Sequence, residues 1–161
     1  MIRRLTPADA AVWKAFRIEM LTASPRAFGA SLADSKARSV EAFASWLTTA
    51  HIFGIEDPDL VASAAWYVEN NPMTAHRAKL ISVYVRPSHR GQGFVERLIE
   101  AVVSDAKAAG KLQVELDVAA DNAAAVRVYE RNGFQIAGRI PNALKHGDVF
   151  TDDIIMIRVL V

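Results

Sequence analysis

Residues 83–94 read Val83-Tyr84-Val85-Arg86-Pro87-Ser88-His89-Arg90-Gly91-Gln92-Gly93-Phe94. Apolar, β-branched and aromatic residues lead into a proline stop. A basic turn follows, with two glycines one residue apart. That turn opens onto the most regular amphipathic stretch of the chain. Val95, Leu98, Ile99, Val102, Val103 and Ala106 fall on one helical stripe across a helix predicted from Gln92 to Ala109. A strand, a Gly-x-Gly turn and a helix N-terminus together make a site for an anionic group. The glycines let the backbone come close, and the first N–H groups of a helix lack an intrahelical partner. An ordinary strand-to-helix turn uses glycine in the same way; here Arg86, His89 and Arg90 around the turn favour the anion. A nucleotide site of another kind fits worse. The Lys-Ser/Thr of a P-loop is missing, and Glu96 stands where a dinucleotide fingerprint needs its last glycine.

Working toward the N-terminus, Ala78 to Arg86 is the strand that feeds the turn. Its alternation sets Ile81, Val83 and Val85 on one face and Leu80, Ser82 and Tyr84 on the other. His51 to Glu56 and Leu60 to Glu69 read as an antiparallel pair about Asp57-Pro58-Asp59. Ser39 caps a helix with Val40, Phe43, Trp46 and Leu47 inward. Thr6-Pro7-Ala8-Asp9 starts another, with Val12, Phe16 and Met20 inward, after a first strand at Ile2 to Leu5. Arg26 to Ser31 reads as irregular.

Toward the C-terminus, Gly110 ends the long helix. Leu112 to Val118 alternates strictly, with Gln113, Glu115 and Asp117 on its polar face. Asp121 or Asn122 caps a helix bearing Ala125, Val126 and Tyr129, and Gly133 ends it. Phe134 to Ile140 and Val149 to Leu160 are the last strands, joined by a polar segment ending in Lys145-His146-Gly147-Asp148. The predicted fold is α/β (α+β), with a mixed, largely antiparallel central sheet of about seven strands and helices on both faces.

Composition narrows the function. The 161 residues predict one domain, 1–161, with a sizeable core. A net charge of +1 with Lys and Arg scattered among Asp and Glu argues against a nucleic-acid binder. No apolar run is long enough to span a bilayer, and the first residues lack a signal-peptide core, so a cytoplasmic protein is expected. The absence of cysteine removes disulfides, thiolate metal sites and a cysteine nucleophile together. His51, His76, His89 and His146 are dispersed, and no metal site is expected. Trp13, Trp46 and Trp66 read as core or wall.

A second motif pairs with the first: Asn122-Ala123-Ala124-Ala125-Val126-Arg127-Val128-Tyr129-Glu130-Arg131-Asn132-Gly133-Phe134. Together the two resemble the GCN5-related N-acetyltransferase (GNAT) superfamily. The first matches its strand, Arg/Gln-x-x-Gly-x-Gly/Ala turn and helix. The second matches its Asn-x-x-Ala-x-x-x-Tyr-x-x-x-Gly-Phe helix, at the usual spacing of one intervening strand. Ser24 to Ser31 and the tail from Gly138 to Met156 resemble an uncharacterised branch of that superfamily. Two positions depart from the pattern: Ser88 stands for the Arg or Gln three places before the first glycine, and Val95 for a small residue.

The resemblance implies acetyl-CoA as cosubstrate, lying between the strand ending at Val85 and the strand around Leu116. Backbone groups of the segment Val83, Tyr84 and Val85 would pair with the pantetheine arm. The N–H groups of Arg90, Gly91, Gln92, Gly93, Phe94 and Val95 would cradle the pyrophosphate, and Asn122 would contact the pantetheine. Tyr129 would be general acid to the departing thiolate. Asp117 is the first choice of base and Glu69 the second. Trp46 falls in the region lining the family's acceptor pocket. Asp152 and Asp153 could attract a cationic amine but read as surface charges. The implied reaction is acetyl transfer to a small-molecule or peptide amine by direct attack in a ternary complex. The alternatives are a non-catalytic CoA- or acyl-CoA-binding regulatory module and a transferase of longer acyl groups. No nucleic acid or membrane partner is implied. Homodimers are common in the family, but the sequence gives no independent support for one.

Overall fold

The computed structural model describes residues 1–161. Its strands are β1 (Ile2–Arg4), β2 (His51–Glu56), β3 (Leu60–Tyr67), β4 (Arg77–Val85), β5 (Gln113–Ala119), β6 (Gln135–His146) and β7 (Val149–Val159). Its helices are α1 (Ala10–Ala23), α2 (Leu32–Ala37), α3 (Val40–Thr49), α4 (Phe94–Ala108) and α5 (Ala123–Arg131). The strands form one mixed seven-stranded sheet in the order β1-β2-β3-β4-β5-β7-β6. The pairs β1–β2, β2–β3, β5–β7 and β6–β7 are antiparallel, and β4–β5 is parallel. The α/β fold with a largely antiparallel sheet is therefore as the patterning predicts.

The chain divides into two compact units. One comprises 1–67 and 81–102, the other 68–80 and 103–161. In the first, α1 and α3 pack their apolar faces into a core of Trp13, Phe16, Met20, Leu21, Phe43, Leu47, Ile52 and Tyr84, all nearly sealed from solvent. Each large side chain buried there contributes roughly 1.5–3 kcal/mol. The helix starts follow local chemistry: Ser31 and Ser39 accept from the N–H groups of Asp34 and Ala42. β3 is buried along Leu60–Trp66, as its apolar run requires.

In the second unit Val114, Leu116 and Val118 are buried while Gln113, Glu115 and Asp117 take the other face of β5. Asn122 caps α5 by accepting from the N–H of Ala125. The β6–β7 hairpin turns at Gly147-Asp148, and its register shifts twice along β6.

Several expectations need correction. Val12 is exposed, and Trp13 joins Phe16 and Met20 in its place. Val40 is exposed at the first turn of α3, and Leu112 is exposed just before β5. After Ser31 the chain forms α2, a helix the patterning did not predict. α4 starts at Phe94, two residues later than the apolar stripe suggests. β3 ends at Tyr67, so Glu69 lies beyond it. β6 continues through the polar segment to His146. No helix is long and apolar enough to cross a membrane.

Candidate active site

In the first unit, β4 ends at Val85 and the chain passes through a 3-10 turn at Pro87–His89 into the glycines. Gly91 and Gly93 have φ of 76° and 77°, a left-handed backbone that glycine adopts without a Cβ penalty. The N–H of Arg97 donates to the carbonyl of Gly93, which leaves the N–H groups of the first turn of α4 without an intrahelical acceptor. A Cβ on either glycine would meet nothing within 4 Å, so the space before the turn is open. The cationic side chains around it are held in place. Arg86 grips Glu19 through two hydrogen bonds of 2.7 and 2.8 Å. Arg90 donates Nε to the Val85 carbonyl at 3.0 Å and lies 5.9 Å over the Tyr84 ring. Ser88 spends its hydroxyl on His89 Nδ1 at 2.8 Å. Phe94 and Val95 are half-buried at the start of α4. Tyr84 turns its ring into the core, against Phe16 and Phe28. What it offers a ligand is backbone.

The same unit holds an arrangement that the sequence reading did not find. Ser82, in β4, has φ +56°. Such a conformation costs a non-glycine residue about 1–2 kcal/mol. Two hydrogen bonds secure it: Ser63 Oγ donates to the Ser82 carbonyl at 2.7 Å, and Arg17 Nη1 donates to Ser82 Oγ at 2.6 Å. The Arg17 guanidinium also lies 5.5 Å over the Trp46 ring. Desolvation, reinforced by repulsion from Arg38, pulls Arg17 down to about 10. It remains cationic at neutral pH.

In the second unit, Asn122 and Tyr129 sit on α5. The Asn122 carbonyl oxygen is used by the helix cap, so its amide NH2 is what it can present. The Tyr129 ring is half-buried, edge-on to Phe134 at 5.8 Å between centroids. Its hydroxyl has no hydrogen-bond partner in the chain, and burial pushes the phenol well above its ordinary range. It is therefore protonated at neutral pH, the state a general acid needs.

Lys79 draws two candidate bases together. Its ammonium lies 3.3 Å from Asp117 and 3.9 Å from Glu69. Asp152 accepts from Arg139 and from the N–H of Asn142, so it ties the hairpin rather than standing free. Asp153, expected on the surface, is buried. The register pairs it with Ala119 of β5, two residues along from Asp117, so the two carboxylates share one face of the sheet. Desolvation raises the Asp153 carboxyl, Asp117 and Asp152 add to the rise, and Lys79 opposes it.

The sequence-predicted residues therefore fall in two sets. Val83 to Val85 and Arg90 to Val95 lie together in the first unit. Asp117, Glu69, Asn122 and Tyr129 lie in the second. An open, left-handed glycine cradle beside a helix N-terminus fits an acyl-CoA pyrophosphate. Sequence reading missed Arg17 and Ser82 and took Asp153 for a surface charge. An arginine on an otherwise apolar helix stripe was a readable signal for the first; nothing marks the other two.

The model of the acetyltransferase (GNAT) family matches residues 16–134. Two curated proteins named L-methionine sulfoximine/L-methionine sulfone acetyltransferase match over 60 residues, 37% of this chain and 35% of their own length. The protein of Salmonella typhimurium is 32% identical there and that of Pseudomonas paraeruginosa 37%. The matched stretch thus spans about a third of the length of these relatives. Solved structures share the fold over the whole chain. An acetyltransferase of the GNAT family from Streptococcus pneumoniae has a TM-score of 0.88 at 20% identity, covering 100% of this chain and 99% of the other. The yncA chain of Salmonella typhimurium, solved with its cofactor acetyl-CoA, has a TM-score of 0.86 at 18% identity, covering 100% and 94%.

Proposed function

The chain belongs to the acetyltransferase (GNAT) family, and from that premise we propose that it moves an acetyl group from acetyl-CoA to a primary amine by direct attack in a ternary complex. The observation that carries this reading is the open turn at Gly91 and Gly93, left-handed at both glycines and leading into α4. Its N–H groups, from Arg90 through Val95, would receive the pyrophosphate with the favourable end of the helix dipole behind them. Backbone groups of Val83, Tyr84 and Val85 would run beside the pantetheine, the Val85 carbonyl sharing its lone pairs with Arg90. The Asn122 amide would donate to the same arm.

When bound, acetyl-CoA supplies an acetyl thioester activated toward amines. The chain has no cysteine to carry the acetyl group, which favours direct attack by the amine. In this reading Tyr129 Oη gives its proton to the thiolate. Asp117 is the first residue to test as the amine's base and Glu69 the second. Asp153 joins them, because the strand register sets it on the same face as Asp117 and burial raises its carboxyl. The acceptor in this reading is a small molecule, as the names of the curated relatives indicate for those proteins.

Calorimetric titration with acetyl-CoA tests the cofactor, and thiol release across a panel of amines tests the chemistry. Absence of acetyl-CoA binding overturns the proposal. Binding without thiol release on any amine would leave a regulatory CoA-binding module in its place.

A further inference from the structure

Three part-buried arginines of this chain hold carboxylates. Arg3 holds Asp9 and Glu56, Arg77 holds Glu115, and Arg86 holds Glu19. Arg17 holds none. Its neighbours are the Ser82 hydroxyl, the Met20 sulfur at 3.7 Å and the face of Trp46. The charge that acts on it is another cation, Arg38. Glu19, two residues along the same helix, is committed to Arg86. A desolvated guanidinium without a counter-ion is unfavourable, and folded chains pair such groups.

The contacts that Arg17 does make define its orientation. Both hydrogen bonds leave from Nη1, and the ring face of Trp46 lies beneath the guanidinium carbon. Nε and Nη2 have no partner in the chain, and neither is sealed off as a buried unpaired atom. Those two nitrogens form the planar fork that matches both oxygens of a carboxylate. Ser82, which anchors the fork, immediately precedes Val83, where the segment assigned to the pantetheine begins. Its left-handed backbone is secured by Ser63. The strain is thus spent on presenting a hydroxyl to Arg17.

We propose that Arg17, held by Ser82 and Trp46, receives the carboxylate of the acceptor, so that the substrate is an amino acid rather than a polyamine, an aminoglycoside or a simple alkylamine. This rests on the acetyl-transfer reading and narrows it. Polycationic amines would meet Arg17 and Arg38 with like charge. A free amino acid brings the missing anion and keeps its amine a short distance away.

The test uses matched pairs that differ in the carboxylate: L-methionine with 3-(methylthio)propylamine, L-phenylalanine with 2-phenylethylamine, and L-leucine with 3-methylbutylamine. Thiol release gives kcat/KM for each. At least one acid is expected to exceed its amine by about tenfold or more, the order a lost charge-assisted pair gives. In Arg17→Gln that preference should collapse through KM, and Arg17→Lys should restore part of it. Ser82→Ala, which loosens the fork without removing the charge, should weaken the preference less. A second readout needs no turnover: calorimetric binding of the preferred acid to the chain without cofactor, present in the wild type and lost in Arg17→Gln. Equal rates on acids and amines, or an unchanged preference in Arg17→Gln, overturns the proposal while leaving the acetyl-transfer reading standing. Failure of acetyl-CoA to bind overturns that reading, and the binding titration then decides the role of Arg17 by itself.

Discussion

Tyr129 carries a hydroxyl that no group of the chain uses and a phenol that burial keeps protonated. Removing that oxygen should therefore cost the fold little and the chemistry much. Tyr129→Phe is expected to lower kcat by roughly 10²–10⁴-fold, the range for loss of a positioned general acid, with acetyl-CoA affinity within a few-fold of wild type. Steady-state kinetics beside calorimetry checks the split. Asp153 makes the opposite prediction for stability. Its folded-state carboxyl lies above the unfolded value, first through desolvation and then through Asp117 and Asp152. The folded state thus binds its proton more tightly, and its contribution to stability falls as pH rises above the ordinary carboxylate range. Asp153→Asn should be at least as stable as wild type at neutral pH and should flatten that decline. Denaturant titrations at several pH values between 4 and 7 test this. At this scale the sequence was uneven. The placement of Tyr129 and Asn122 on α5 was legible, because their motif fixes them relative to a helix start. Asp153 was not, because adjacent aspartates in a hairpin look solvated until strand register turns one of them onto a crowded face.

The turn between β4 and α4 behaves as an element, since its two glycines act through backbone shape. A Cβ at Gly93 would strike no atom, so Gly93→Ala carries mainly the left-handed penalty, about 1–2 kcal/mol. Its methyl would project into the open space where a phosphate is proposed to sit. The expected outcome is a folded variant with modestly lower stability and acetyl-CoA affinity reduced by about tenfold or more, measured by thermal denaturation and calorimetry. Elements with strong periodicity were the easiest to read: α4 and α5 are amphipathic, and β5 alternates without a break. Element ends were harder. Val12 and Trp13 are neighbours, and helical spacing alone does not say which of them begins the buried stripe; the larger aromatic took the core. β6 carries Pro141 and bulges yet continues to His146. An edge strand tolerates both, because one side of its ladder is free. The short α2 depends on Ser31 as its cap more than on any apolar pattern.

Across the whole molecule, the order of helices and strands was readable, and with it the sheet. The division into two compact units was not, because it falls within β4 and α4, elements whose patterns run on unbroken. Arg17 was conspicuous on its apolar stripe, but its role was not readable, because it depends on residues 65 positions away in Ser82 and 29 away in Trp46. That last pairing has an optical consequence. Trp13 and Trp66 are sealed in the interior, while Trp46 is only partly buried and has a cation against its ring face. An anion arriving at Arg17 changes the electric field felt by that indole most directly, since the guanidinium lies against its ring face. Intrinsic fluorescence should then shift on titration with a preferred amino acid, remain still with its decarboxylated partner, and lose the response in Trp46→Phe. Under the acceptor proposal, Trp46 is thus the chain's own reporter of acceptor arrival, readable without label or turnover.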